Sequence, residues 1–203
     1  MNEKIKNIIS ASISVKQQIL IDAVMIDKID KAVEVIAEAF NNGNKVLFCG
    51  NGGSAADAQH LAAEFSGRFY KNRKALPAEA LHCNTSYLTA VANDYSFDVI
   101  YSRLVDGIGI KGDVLIGLST SGNSGNIIKA FETAREKNII TIGFTGTSGG
   151  NMKHLCDYLF NVPSTDTPRI QESHIMIGHI ICELVEEKLY PQTPNGALKH
   201  HET

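Results

Sequence analysis

His60 and Glu64 stand four positions apart in Gly50-Asn51-Gly52-Gly53-Ser54-Ala55-Ala56-Asp57-Ala58-Gln59-His60-Leu61-Ala62-Ala63-Glu64, a spacing that puts an imidazole and a carboxylate on one face of a helix. Such a pair can move a proton or hold a metal. Just upstream, the apolar run Val46 to Cys49 empties into Gly50 to Ser54. A strand, a glycine-rich turn and a helix start make an anion site, because the free N–H groups of the first turn and the positive end of the helix dipole point at it. A second loop, Leu118-Ser119-Thr120-Ser121-Gly122-Asn123-Ser124-Gly125-Asn126, offers hydroxyls and backbone N–H groups without net charge, a match for phosphoryl oxygens. Ser, Gly and Asn also make ordinary turns, but two such loops at equivalent strand ends point to one shared phosphate ligand. The third cluster is Arg169-Ile170-Gln171-Glu172-Ser173-His174, followed by His179. Gln171 and His179 lie roughly 80° apart around a helix and lean to one side. Zinc needs three or four converging N or O donors, and His60 and Glu64 with one more histidine meet the minimum. A lone histidine on an apolar helix is ordinarily a hydrogen-bonded core residue, which is the alternative for His179 taken by itself. His174, three residues after Gln171, has the spacing to face the site, but a structural role is the expectation for it. His82 and His154 have no ligand-like spacing, and His200 and His201 fall in the tail.

The elements that must position these groups follow from hydrophobic period. Strands over 46–49, 79–82, 114–118, 139–144 and 158–162 alternate with helices over 55–66, 86–92 and 97–105, 125–136, 152–156 and 169–189. That alternation predicts βαβ units and a parallel sheet covered on both faces. Residues 3–42 read as helical: Ile29, Val33, Ile36 and Phe40 form a stripe, Asp27 with Asp30 loosely resembles a capping-box start, and Asn42-Gly43 is a stop. The earlier apolar positions Ile5, Ile8, Ile9, Ile13, Leu20 and Val24 have no strand of their own to cover, so residues 1–42 are expected to pack on a neighbouring subunit. Residues 1–203 read as one domain, with 191–203 a poorly ordered tail.

Bulk properties narrow the ligand. The chain has 203 residues, 43% of them apolar, and a net charge of −3 with both signs interspersed, so neither nucleic acid nor an anionic membrane surface is the expected partner. Cys49, Cys83, Cys156 and Cys182 form no C-x-x-C pair, which fits reduced thiols. No run is long enough to span a bilayer and the first residues lack the apolar core of a signal peptide, so the expected compartment is cytoplasmic. Gly50 to Ala55 also satisfies G-x-G-x-x-A, but the second strand ends in His82-Cys83-Asn84 without the carboxylate that a dinucleotide's ribose requires. No Walker lysine follows the loop.

Taken together, the Gly50 to Glu64 motif, Ser119-Thr120-Ser121-Gly122-Asn123-Ser124, and Arg169-Ile170-Gln171-Glu172 followed by His179 resemble the bacterial phosphoheptose isomerases, members of the sugar-isomerase (SIS) domain superfamily. The match runs from about Leu20 to Tyr190. The resemblance implies an α/β fold, a flavodoxin-like three-layer α/β/α sandwich on a five-stranded parallel sheet with N-terminal helices, assembled as a homotetramer with active sites between subunits. It implies interconversion of sedoheptulose 7-phosphate and D-glycero-D-manno-heptose 7-phosphate, the first step toward nucleotide-activated heptoses for lipopolysaccharide or capsule. Carried over residue by residue, it puts one zinc per subunit on His60, Glu64, Gln171 and His179, and substrate contacts on Asn51, Gly52, Gly53, Ser54, Glu64, Asn93, Asp94, Ser119, Thr120, Ser121, Ser124 and Gln171, with Arg68 nearby. Glu64 and His179 match the catalytic pair. Pro168 stands where some members have alanine.

Moving a carbonyl between C1 and C2 needs a base, an acid and stabilisation of an enediolate; Glu64 is assigned as base, His179 as acid, and the metal as the electrophile. A rival reading is a non-catalytic SIS protein, a sugar-phosphate sensor or a binder of a replication initiator. Such relatives lack the glutamate that stands here as Glu64. Another sugar-phosphate isomerase of the superfamily is the remaining rival.

Overall fold

The structure, a computed structural model, describes residues 1–191; the tail expected beyond Pro191, with His200 and His201, lies outside them. Two helices come first, α1 (Asn2–Ile21) and α2 (Ala23–Asn41), meeting at 76°. The break is set by Asp22, whose carboxylate accepts from Val24 N and Met25 N, covering two of the unpaired N–H groups of the α2 start. The start expected at Asp27 and Asp30 is therefore corrected to Asp22: Asp27 instead pairs with Lys31 one turn on, at 2.7 Å. The expected stop holds, with Gly43 at φ +76° and its N–H on Phe40 O, a left-handed cap that needs no Cβ.

The alternating part then runs β1 (Val46–Gly50), α3 (Gly53–Ser66), β2 (Ala78–Ala80), α4 (Thr85–Asp94), α5 (Ile100–Ile108), β3 (Val114–Leu118), α6 (Gly125–Glu136), β4 (Ile140–Thr145), β5 (Tyr158–Asn161) and α7 (Thr167–Leu189). The strands form one five-stranded sheet in the order β2-β1-β3-β4-β5, and every neighbouring pair is parallel. Successive residues of a strand point to opposite faces. Val46 and Phe48 therefore join α2, α3 and α7 in one core, while Leu47 and Cys49 join α4, α5 and α6 in the other. That is the expected α/β/α sandwich.

Local expectations differ in three places. β2 is an edge strand shorter than 79–82, because after Leu81 N donates to Phe48 O the chain turns, with Cys83 N on Ala80 O. The 97–105 segment starts as a 3-10 turn, Phe97–Val99, before α5. The helix expected over 152–156 is only a 3-10 turn, Asn151–His154, after two left-handed glycines, Gly149 and Gly150. All four cysteines are unpaired, with Cys49 and Cys182 buried and Cys83 exposed. Among the described residues no single helix is long and apolar enough to cross a membrane; α1 and α2 meet that length and composition only as a bent pair.

Candidate active site

The sheet order reverses between β1 and β3: the chain leaves β1 for β2 on one side and returns to β3 on the other. In open parallel sheets the crevice at the carboxyl ends of two such strands receives the ligand. Both loops singled out above lie there. Gly52 opens α3 at φ +56°, a backbone that a side chain would strain, and so turns the N–H groups of the first turn outward from β1. Ser54 is buried and donates its N–H to Asn51 O. In the second loop, Ser119 Oγ and Ser124 Oγ are 2.9 Å apart, and Ser121 Oγ accepts from Asn123 N, leaving its O–H free to donate. Thr120 is half-buried between them.

The two loops are joined by a contact that the sequence pattern does not show. Asn51 Nδ2 donates to Asn126 Oδ1 and Asn126 Nδ2 to Asn51 Oδ1, both at 2.9 Å. Asn126 is buried in the first turn of α6, and with both amides engaged the bond fixes the spacing of the two helix starts.

Down α3, the helical period brings His60 Nε2 to 3.0 Å from Glu64 Oε1. The third group comes from α7. Gly178 packs so closely on α3 that a Cβ there would sit 2.5 Å from Leu61 Cδ1, and the next residue, His179, points its Nε2 at His60 Nε2 across 3.0 Å. Donor atoms of His60, Glu64 and His179 all lie within 4.8 Å of one another. His60 Nε2 thus faces an acceptor oxygen and a second ring nitrogen at the same distance, and its single proton or lone pair can satisfy only one of them. A cation between the three donors would satisfy all of them, and the set of two imidazoles and a carboxylate suits zinc. The donors fit the implied metal.

The surroundings are apolar and partly unpaired. The Phe69 ring lies 5.7 Å from that of His179. Asp57, one turn before His60, has a buried Oδ2 without a partner; burial pushes its carboxyl up, and nearby His60 and His179 oppose that rise. His174 is held elsewhere: its Nε2–H donates to Thr145 O at 3.1 Å inside the core, the structural place expected for it.

The remaining expected contacts are distributed around this centre. Gln171 lies with its amide against Gly53, where a Cβ would meet Nε2 at 2.7 Å, so it stands at the start of α3, roughly 10 Å along the helix from His60. Arg68 is exposed just past α3. Asn93 and Asp94 are exposed at the end of α4, and Asn93 Nδ2 donates to Asp94 Oδ1 at 2.9 Å.

The chain has counterparts among known proteins. The SIS domain model matches residues 14–146. The phosphoheptose isomerase of Aneurinibacillus thermoaerophilus is 55% identical over 190 residues, covering 94% of this chain and 96% of that one. The chain belongs to the phosphoheptose isomerases of the SIS domain family. The phosphoheptose isomerase of Clostridium acetobutylicum is 56% identical, over 90% of this chain and 93% of its own. Among solved structures, the phosphoheptose isomerase of Neisseria gonorrhoeae superposes with a TM-score of 0.86 at 41% identity, covering 92% of this chain and 98% of that one. The family's members are aldose–ketose isomerases, and this chain is one.

Sequence reasoning missed Asn126, whose buried amide pairs with that of Asn51 across the two loops.

Proposed function

We propose that the site converts D-sedoheptulose 7-phosphate to D-glycero-D-manno-heptose 7-phosphate through an enediolate, as the family membership suggests. The observation that carries the reading is the meeting of His60, Glu64 and His179 from two helices beside two loops suited to a phosphate. In this assignment the 7-phosphate is held by Gly52, Gly53 and Ser54 and by the hydroxyls of Ser119, Thr120, Ser121 and Ser124, all neutral donors aided by two helix dipoles. Asn51, Gln171, Asn93, Asp94 and Arg68 contact the sugar chain. Glu64 takes the proton from C1 of the open-chain ketose and returns it to C2. His179 gives a proton to the oxygen on C2 and accepts one from the oxygen on C1, so the proton count closes within the site. His60, Glu64 and His179 would hold the zinc ion, one per subunit. Gln171, expected as a fourth ligand, stands against Gly53 at the start of α3, roughly 10 Å along the helix from His60, and is assigned to the sugar phosphate alone. What a bound zinc supplies there is polarisation of the sugar oxygens on C1 and C2. The assembly is assigned as a tetramer with sites between subunits, the compartment as the cytoplasm, and the product as a precursor of lipopolysaccharide or capsule heptoses.

The deciding experiment follows the proton. With sedoheptulose 7-phosphate in deuterated buffer, the wild type is expected to isomerise the sugar and exchange deuterium into it. Glu64→Gln, which keeps shape and an oxygen donor, should slow both by at least about a hundredfold while folding normally. Exchange at the wild-type rate in this variant would remove Glu64 from the role of base. Saturable binding of NAD(H) without binding of the sugar phosphate would end the isomerase reading.

A further inference from the structure

Arg73 and Glu186 form an ion pair in which Arg73 Nε lies 2.9 Å from Glu186 Oε1 and both side chains are 2% exposed. Neither belongs to the donor centre or to a phosphate loop. Burying two charges costs several kcal/mol per ion before pairing is counted, and well-packed apolar residues often hold a core as firmly. A buried pair is thus poorly explained by stability alone, and its hydrogen bonds show where its geometry is used.

Arg73 reaches the end of α3. Its Nη2 donates to Glu64 O at 2.8 Å, and its Nη1 to Phe65 O at 2.8 Å and Lys74 O at 3.0 Å. The last carbonyls of a helix have no partner within it and carry the negative end of its dipole; the planar guanidinium covers them from one fixed direction. One of these carbonyls is that of Glu64 itself. Glu186 holds the following loop: Oε1 accepts from Phe69 N at 3.1 Å, and Oε2 from Tyr70 N and Lys71 N, each at 2.8 Å. Burial would push this carboxyl up, but the three backbone N–H groups and Arg73 outweigh it and hold it below its usual range. Phe69, fixed in this way, lies against the His179 ring, two turns before Glu186 on α7.

We propose that Arg73 and Glu186 are positioning residues for the proposed isomerase site, on which this inference rests: Arg73 sets the last turn of α3 that carries Glu64, and Glu186 sets Phe69 against His179. The clamp ties α3, the 67–74 loop and α7 into one unit, so the carboxylate and the imidazole keep their relative placement through turnover.

The test compares Arg73→Lys, Glu186→Gln and the apolar double variant Arg73→Met with Glu186→Leu. The control is Asp113→Asn, which breaks another ion pair, between buried Asp113 and half-buried Lys45, at 2.7 Å. That pair lies just before the starts of β1 and β3, without contact to α3 or α7 through either side chain's hydrogen bonds. Each protein is measured for thermal unfolding, for kcat and KM with sedoheptulose 7-phosphate, and, after loading with cobalt(II), for its visible absorption bands. The clamp variants are expected to lose about tenfold or more in kcat, with KM changed less than about threefold, as small misplacements of reacting groups do, and their cobalt bands should shift. The control should lose thermal stability without either change. The double variant, in which no charge is left unpaired, keeps the test open if the single variants fail to fold. Wild-type kcat and cobalt bands in the double variant would overturn the positioning role alone. A wild type that neither binds cobalt nor turns over the sugar would bring down the isomerase reading and the clamp with it.

Discussion

At the scale of single residues, His174 shows how a histidine can be invisible to chemistry yet govern pH dependence. It is fully buried, its Nδ1 has no partner, and burial pushes its pKa from 6.5 down to about 4, with the Thr145 carbonyl opposing only part of that fall. The folded chain therefore holds the ring neutral, while the unfolded chain takes up a proton near pH 6.5. Between about pH 6.5 and 4 the unfolded state binds the extra proton, so stability falls as pH falls, by about 3 kcal/mol in all, and no further loss from this group comes below that window. Urea unfolding at pH 7, 5.5 and 4.5 should show a shallower slope in His174→Gln than in the wild type. His82, whose pKa burial also lowers, is present in both proteins and cancels. Equal slopes would mean that the buried ring does not titrate in this window.

Among the elements, the crossing of α3 on α7 matters most for the site, because His60 and His179 meet only if the helices approach closely. Gly178 permits that approach, and Leu61, 1% exposed, has no room to move aside. Gly178→Ala should cost about 1–3 kcal/mol, as an added methyl in a close-packed core does, and should spread the three donors. Chelator competition is expected to show weaker zinc binding than in the wild type, and unchanged zinc affinity would mean that the donor centre tolerates a wider crossing. The cap at Asp22 works on a smaller scale: it bends α1 away from α2 and leaves one face of α1 outside the core.

For the whole molecule, that face is the largest feature unexplained by a single chain. Ile5, Ile8, Ile9 and Ile13 are about half exposed and Leu20 is 73% exposed, and a groove of about 360 Å³ beside them is lined by Ile13, Ile19, Leu20, Ile26, Met176 and Ile180 among others. A row of this kind marks an interaction surface; α2 buries its apolar stripe in this chain's own core, so of residues 1–42 it is the exposed face of α1 that the proposed assembly would cover. If the proposed tetramer uses this face, the double substitution Ile9→Glu with Ile13→Glu should lower the mass measured by light scattering toward smaller species, with the far-ultraviolet circular dichroism kept. A tetramer that survives both charges would place the subunit contact elsewhere.

What the sequence determined by itself was whatever a short stretch of chain decides locally. The alternation of apolar runs with helical periods set the parallel sheet, the glycines and serines after β1 and β3 marked the loops at its carboxyl edge, and four-residue spacing put His60 and Glu64 on one face, because backbone period and turn chemistry act within a few residues. The start of α2 falls at Asp22 rather than Asp27 because Asp22 caps the free N–H groups of Val24 and Met25, while Asp27 lies inside the helix and pairs with Lys31; several aspartates in this stretch offer the same local signal. Tertiary structure decided the rest. The approach of His179 to His60, the paired amides of Asn51 and Asn126, and the reach of Glu186 back to the 69–71 backbone join residues more than 70 positions apart. No periodicity spans such distances; these contacts exist because the sheet order and the α3–α7 crossing bring the segments together, and the buried polar groups must then find partners in one another.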